Sequence, residues 1–302
     1  MQRPSLPRFR APFPWGAPVT PGGVEPLKSD PTTGAHYDTD WARSPAARAA
    51  RAVVVETVMR PVMAGFARPE RRGLDRFADL DGPLIFAANH HSHADTPLLL
   101  TSIPRPWRHE VVVGAAADYF FGTRVTGAIS ALAIGAIPIE RTKVGRRSAD
   151  LATRLIDDGW SLLIYPEGGR SPDGWGQPFR GGAGFLARRC GVPVVPVHVW
   201  GTDRILRKGR SIPQASNTVV SFGAPILPGP DDDARTLAAR IEAAVAELAD
   251  EITSDWYTAR LRARSGGSPG LTGPEIASWR RAWALGDRAR RRRRRAQWPE
   301  LS

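Results

Sequence analysis

The stretch Leu84-Ile-Phe-Ala-Ala-Asn-His-His-Ser-His-Ala-Asp95-Thr-Pro-Leu-Leu-Leu100 reads as three units in succession. An apolar run of strand length comes first, then a polar turn of histidine, serine and aspartate, then a leucine-rich helical segment. Strand, turn and helix in that order form the repeating unit of an α/β fold. Such folds build their sites at the C-terminal ends of strands, which here means Asn89 to Asp95. About seventy residues later, Leu162-Leu-Ile leads in the same way into Tyr165-Pro-Glu-Gly-Gly-Arg-Ser171.

The pattern repeats outward from these two points. Strand candidates are Pro83–Ala88, Glu110–Gly114, Ile134–Ile139, Ser161–Tyr165, Val192–Val199 and Thr218–Phe222. Helical segments at Thr96–Ser102, Ser148–Asp158 and Gly184–Cys190 lie between them. This alternation predicts an α/β fold with a mainly parallel or mixed central sheet flanked by helices. Downstream, Leu237, Ile241, Val245, Leu248 and Ile252 recur at three- and four-residue spacing behind Asp231-Asp-Asp233, whose charges favour a helix N-terminus. Gly266-Gly-Ser-Pro-Gly270 then marks a break. Upstream, Trp41 to Phe66 turns helical, with Val54, Val58, Val62 and Phe66 four apart and Pro61 expected to kink or end the first part. This helical N-terminal element either covers the sheet or rests on a membrane, with Arg48, Arg51 and Arg60 near headgroups. Residues 1–40 hold eight prolines and no sustained apolar period, so they read as a disordered or loosely packed arm. The expected organisation is that arm over 1–40, one domain over 41–264 with its helix at 41–66 and its motif-bearing core at 82–225, and an Arg-rich tail over 265–302.

At 302 residues and 42% hydrophobic, the chain can bury a full core. Its single cysteine, Cys190, rules out an intramolecular disulfide framework and suits a reducing compartment. The N-terminus lacks the apolar core of a secretory signal. The uncharged, Gly- and Ala-rich run Val125 to Ile139 falls short of the roughly 20 residues a bilayer span needs, so no transmembrane helix is expected. The net charge of +12 is uneven: Arg260 to Ser302 carries 12 Arg against Glu275, Asp287 and Glu300. The body is close to neutral and the tail is strongly basic.

Histidine is the side chain best suited to take a proton near neutral pH, and a carboxylate on its other nitrogen fixes the tautomer. Three histidines are on offer, and spacing does not choose among them. On a continuous helix Asp95 lies beside His91, four residues back, whereas His90 would have to sit on the turn before the helix. A metal site made from His90, His91 and His93 is an alternative that the scarcity of nearby acids disfavours. Ser92-His-Ala-Asp95 also reads as a capping box, which accounts for Ser92 and Asp95 but not for histidines at a strand's mouth.

Asn89-His90-x-Ser92-x-x-Asp95 resembles the first sequence block of the glycerolipid acyltransferases, a histidine followed by four residues and an aspartate. Gly135-Ala-Ile-Pro-Ile-Glu-Arg141 is similar to the second block, Tyr165 to Ser171 to the third, and Val192-Pro-Val-Val-Pro-Val197 to the fourth. Four blocks in order over residues 82–225 are far more specific than one. The resemblance implies acyl transfer from acyl-CoA, or from acyl carrier protein, to the hydroxyl of a lysophospholipid such as 1-acylglycerol 3-phosphate. It makes His90 the general base and Asp95 its orienting partner, with direct attack and no acyl-enzyme. It makes Arg141 and Arg170 phosphate ligands, Glu167 a partner for acceptor hydroxyls, and Gly168, Gly169 and Ser171 substrate contacts. Gly169 stands where the family often carries Thr. No cofactor or metal is implied beyond acyl-CoA as co-substrate, and glycerol 3-phosphate or another polar lipid precursor is the alternative acceptor. Small residues from Val125 to Ile137 suit either an acyl channel or plain packing, and Lys143, Arg146 and Arg147 either contact the donor or form a solvated face.

Arg290 to Arg295 is an unbroken basic run. Each basic residue near an anionic membrane contributes about 1 kcal/mol, so the run suits a peripheral enzyme on the cytoplasmic side of the cell membrane. Nucleic acid is the weaker reading, because no aromatics are interleaved for stacking. A non-enzymatic basic binding protein is a third reading, against which the intact His90, Asp95, Glu167 and Arg170 count.

Overall fold

The computed structural model describes residues 33–140, 146–171, 175–206 and 213–272. Ser44 caps helix α1 (Pro45–Val53) by accepting from the Ala47 amide. The chain continues through a π-helical segment, Val54–Met59, into α2 (Arg60–Ala67). Pro61 therefore does not end the helix: the wider turn upstream accommodates its ring and its missing N–H. There follow β1 (Pro69–Arg72), β2 (Ile85–Ala88), α3 (Asp95–Ser102), β3 (Val111–Ala116), α4 (Ala117–Phe120), α5 (Arg124–Ile134) and β4 (Ala136–Ile139). The second half comprises α6 (Arg146–Asp157), β5 (Ser161–Ile164), α7 (Gly182–Cys190), β6 (Val194–Trp200), α8 (Thr202–Ile205), β7 (Thr218–Phe222), α9 (Ala234–Thr253) and α10 (Trp256–Ser265).

The strands form one mixed seven-stranded sheet in the order β1-β7-β6-β2-β5-β3-β4. Only the β6–β7 pair is antiparallel. β2 is the middle strand, and all four of its residues are buried. Its alternate side chains feed two cores. Phe86 and Ala88 join Leu98, Leu99, Leu163 and Val197 on the face covered by α2 and α3. Ile85 and Ala87 join Leu162, Leu155, Leu186, Leu237 and Ile241 under α6, α7 and α9. Burial of each such large side chain contributes about 1.5–3 kcal/mol, and coverage of both faces is why the strands read as unbroken apolar runs. α9 starts where the acidic triplet ends, with Asp233 accepting from the amides of Arg235 and Thr236.

Two sequence expectations are corrected, and one strand was not foreseen. Ile134 closes α5 instead of opening a strand, because Gly135 adopts φ +64 and ends the helix; β4 starts one residue later. β1, Pro-Glu-Arg-Arg, is an edge strand paired only to β7 and carries no apolar signal by which to find it. Arg51 is not at a headgroup surface: it is buried, donating to the carbonyls of Leu132 and Ala42, and so pins α1 to the end of α5. Burial lowers its pKa to about 10. Arg48 and Arg60 are exposed, as expected.

Candidate active site

β2 and β5 run parallel side by side, with Ala87 opposite Ile164, so their C-terminal ends deliver the two polar blocks to one place. Asn89 fastens the end of β2 to β6: its side-chain amide donates to the Val199 carbonyl (2.9 Å) and its oxygen accepts from the Val199 amide (2.7 Å). Residues 89–94 are not helical, and α3 begins only at Asp95. The ring of His90 folds back over this turn, and its Nδ1 lies 2.8 Å from Asp95 Oδ2.

Asp95 is fully buried and accepts from four donors. Oδ2 takes the backbone amides of His91 (2.7 Å) and Ser92 (2.8 Å) as well as His90 Nδ1, and Oδ1 takes the hydroxyl of Thr202. Burial alone would raise the pKa of this carboxyl. The hydrogen bond and charge of His90, with the Ser92 amide and Thr202, outweigh it and hold the group below the usual carboxylate value. A charged Asp95 takes a proton-bearing Nδ1, which leaves the His90 Nε2 lone pair available as a base. The ring is held from its other side by Tyr165, stacked at 4.0 Å between centroids and 19° between planes. The Tyr165 hydroxyl is anchored 2.9 Å from Thr96 Oγ1.

His90 lines a cavity of about 380 Å³. Its lining includes the apolar side chains of Val113, Ala115, Ile134, Ile139 and Ile164 and the polar ones of His93, Glu140, Arg170 and Arg180, with Gly168 and Gly169 beside them. A carboxylate-oriented base thus opens into a cavity that offers both apolar and guanidinium lining. Among the described residues no group of His, Cys, Asp or Glu is arranged to hold a metal.

A family model described as Acyltransferase matches residues 68–200, the segment that carries both blocks and β2 through β6. Residues 68–200 thus carry an acyltransferase domain similar to that of the glycerolipid acyltransferases. It is 32% identical over 147 residues to a chloroplastic 1-acyl-sn-glycerol-3-phosphate acyltransferase of Brassica napus, an alignment covering 48% of this chain and 40% of that protein. It is 32% identical over 118 residues to the human 1-acyl-sn-glycerol-3-phosphate acyltransferase beta, covering 38% of this chain and 40% of that protein. The chain thus spans less than half the length of these curated relatives. The fold is similar to the crystal structure of the 1-acyl-sn-glycerophosphate acyltransferase of Thermotoga maritima, with a TM-score of 0.55 at 22% identity over 71% of this chain and 86% of that one.

Of the expected acyltransferase site residues, His90, Gly168, Gly169 and Arg170 line the cavity, with Asp95 directly behind the base. Arg141 and Lys143 lie outside the described residues, as do Arg290 to Arg295. Glu167 and Ser171 are placed differently from the expectation, since both are buried and neither lines the cavity. Ser171 donates its amide to the His90 carbonyl (2.8 Å). Glu167 accepts the His90 amide on Oε1 (2.8 Å) and the Gln177 amide on Oε2 (2.9 Å). Burial pushes its pKa up to about 7 against those two hydrogen bonds. The geometry gives Glu167 the task of holding the histidine's backbone. The Val125–Ile137 run contributes little to the cavity: only Ile134 lines it, and Val125 and Ile129 are exposed on α5. Arg146 and Arg147 are exposed.

Sequence reasoning assigned no role to Thr202, Arg180 or the ring of Tyr165. Thr202 lies 107 residues from Asp95, and no local pattern marks it. Arg180 shapes the cavity through Gly168, which has φ +71 and where an added Cβ would meet the guanidinium at 2.8 Å. Gly168→Ala is therefore expected to cost about 1–3 kcal/mol in backbone strain and to displace Arg180. Thermal denaturation should register the first effect and a raised KM for a phosphorylated acceptor the second.

Proposed function

We propose that this chain transfers an acyl group from an acyl thioester to the hydroxyl of a lysophospholipid, 1-acylglycerol 3-phosphate being the preferred acceptor. The observation that carries this reading is the His90–Asp95 pair opening into a cavity lined by apolar side chains and by the guanidinium groups of Arg170 and Arg180. The acceptor hydroxyl gives its proton to His90 Nε2 as its oxygen attacks the thioester carbonyl. The thiolate then leaves and recovers a proton from the imidazolium. Asp95 stabilises the imidazolium, and Arg170 pairs with the acceptor's phosphate, for which guanidinium geometry is suited. The acyl chain lies against Val113, Ile139 and Ile164. No nucleophilic side chain is needed. Cys190, in α7, has its thiol pKa raised by burial and stays protonated.

Thiol release from acyl-CoA by the purified protein, measured with 1-acylglycerol 3-phosphate, glycerol 3-phosphate and unphosphorylated monoacylglycerol, tests the proposal. Preference for the first supports it. Preference for glycerol 3-phosphate moves the acceptor to the alternative class, and turnover indifferent to phosphate removes the role given to Arg170.

The same reading places the enzyme on a membrane surface. Val58, Val62 and Phe66 of the N-terminal helix, four residues apart, are all exposed, and Val53 extends the patch. No described helix is long and apolar enough to cross a bilayer. Each apolar side chain that leaves water on docking contributes about 1.5–3 kcal/mol. The double variant Val62→Asp, Phe66→Asp should therefore bind anionic vesicles at least about tenfold more weakly in co-sedimentation. Its turnover on short-chain soluble substrates should remain that of the wild type.

A further inference from the structure

We propose that Gly266–Thr272, C-terminal to the family-matched segment, is a strap whose Leu271 holds the catalytic histidine in place from behind. Its catalytic consequence rests on the acyl-transfer reading, whereas its structural consequence does not. α10 ends at Gly266 (φ +70), and the chain turns back toward the site. The Leu271 carbonyl accepts from the Gly176 amide at 2.9 Å, and the Leu271 side chain is buried with Val245 and Ala246 of α9 and with Phe179. Gly176 is a fitted contact: a Cβ there would lie 2.9 Å from Leu271 Cβ and 3.2 Å from its carbonyl oxygen.

Residues 176–180 belong to no helix or strand, and each of their amides goes to a different anchor. Gly176 donates to Leu271, Gln177 to Glu167 Oε2 (2.9 Å), Phe179 to Glu242 Oε2 of α9 (2.9 Å), and Arg180 to the Pro166 carbonyl (2.9 Å). Pro178 has no amide hydrogen to donate. A segment held by single bonds to separate partners, rather than by a repeating ladder, loosens around an anchor that is lost. The anchor beside the strap's own is Gln177, and Glu167 passes its hold directly to the His90 amide. Leu271 is thus a positioning residue, two hydrogen-bonded groups removed from the backbone of the base.

The consequence for pH follows from what faces Glu167: His90 and Asp95 from the first block, Glu242 from α9, and the Gln177 amide. Its pKa is pushed up to about 7 by burial, and the two amides restrain it. Loosening Gln177 raises it further, and because a protonated Glu167 accepts the His90 amide more weakly than the carboxylate does, kcat should begin to fall at a higher pH on the acid side. General destabilisation would not produce that shift.

The test uses Leu271→Ala, Gly176→Ala and Leu271→Met in the full chain, with folding checked by circular dichroism. Hydrogen exchange read by mass spectrometry over 86–95 and 175–180 should quicken in the first two variants and return to wild-type rates in Leu271→Met, which keeps the apolar volume. A displaced base costs about 10²-fold for a 1 Å error, so kcat should fall at least about tenfold with KM little changed and the acid limb raised. Wild-type exchange over 86–95 in folded Leu271→Ala and Gly176→Ala would overturn the strap; if Leu271→Ala does not fold, Gly176→Ala decides. Exchange needs no substrate, so a wild-type protein without transferase activity would sink the functional reading while leaving the strap to be judged by itself.

Discussion

Replacing His90 with alanine is expected to lower kcat for acyl transfer by about 10²–10⁴-fold, the usual contribution of a positioned general base. The fold should survive the change. The ring is 16% exposed at the cavity, and the bonds that hold the turn use the backbone of His90, its amide to Glu167 and its carbonyl from Ser171. Both persist in the alanine variant. Single-turnover thiol release is the measurement of choice, because it isolates chemistry from product release. Turnover within a few-fold of wild type would mean that another group takes the proton, and His93, which lines the same cavity, would be the first to examine.

Asp95→Asn should produce a loss of similar size through a different route, together with a loss of stability. The carboxylate accepts from four donors, and an amide side chain must turn its NH₂ toward at least one oxygen's share of them. Each hydrogen bond to a charged group contributes about 1.5–3 kcal/mol, so several kcal/mol of stability are at stake even if some bonds persist. Catalysis suffers because a neutral partner neither fixes the Nδ1–H tautomer nor stabilises the imidazolium formed on proton transfer. The pH dependence separates the effects. The folded pKa of Asp95 is depressed, so its contribution to stability is present above the ordinary carboxylate value and is lost as pH falls through the folded one. Thermal unfolding of the wild type should therefore decline on the acid side with a component that Asp95→Asn lacks. A variant with wild-type kcat and an unchanged acid profile would remove Asp95 from the mechanism.

The α/β class was legible because buried strands and amphipathic helices leave periodic marks. Phe86 and Ile85 feed opposite cores, and Leu237, Ile241 and Val245 follow the turn of one helix. Elements without such marks were not legible. β1 carries no apolar stripe and is held by backbone pairing to β7 and by Arg71 donating to Ser102 of α3, and α5 runs into β4 across Gly135 with no change in composition to show the boundary. The N-terminal stripe was visible, but not which of its neighbours point inward: Arg51 faces the end of α5 while Val58, Val62 and Phe66 face out.

The sequence by itself determined the two polar blocks, their attachment to strand ends and the residue types available for proton transfer. It did not determine the pairing. Helical spacing favours His91 as the neighbour of Asp95, and only the tertiary structure shows the turn over 89–94 staying unwound, so that His91 offers its amide and His90 its ring. The adjacency of β2 and β5, the reach of Thr202 across 107 residues and the diversion of Glu167 to backbone amides were likewise decided by the fold. The physical reason is the same in each case. Periodicity records which face of an element is buried, whereas the partner of a buried polar group is set by sheet order and loop path, which join residues distant in the chain.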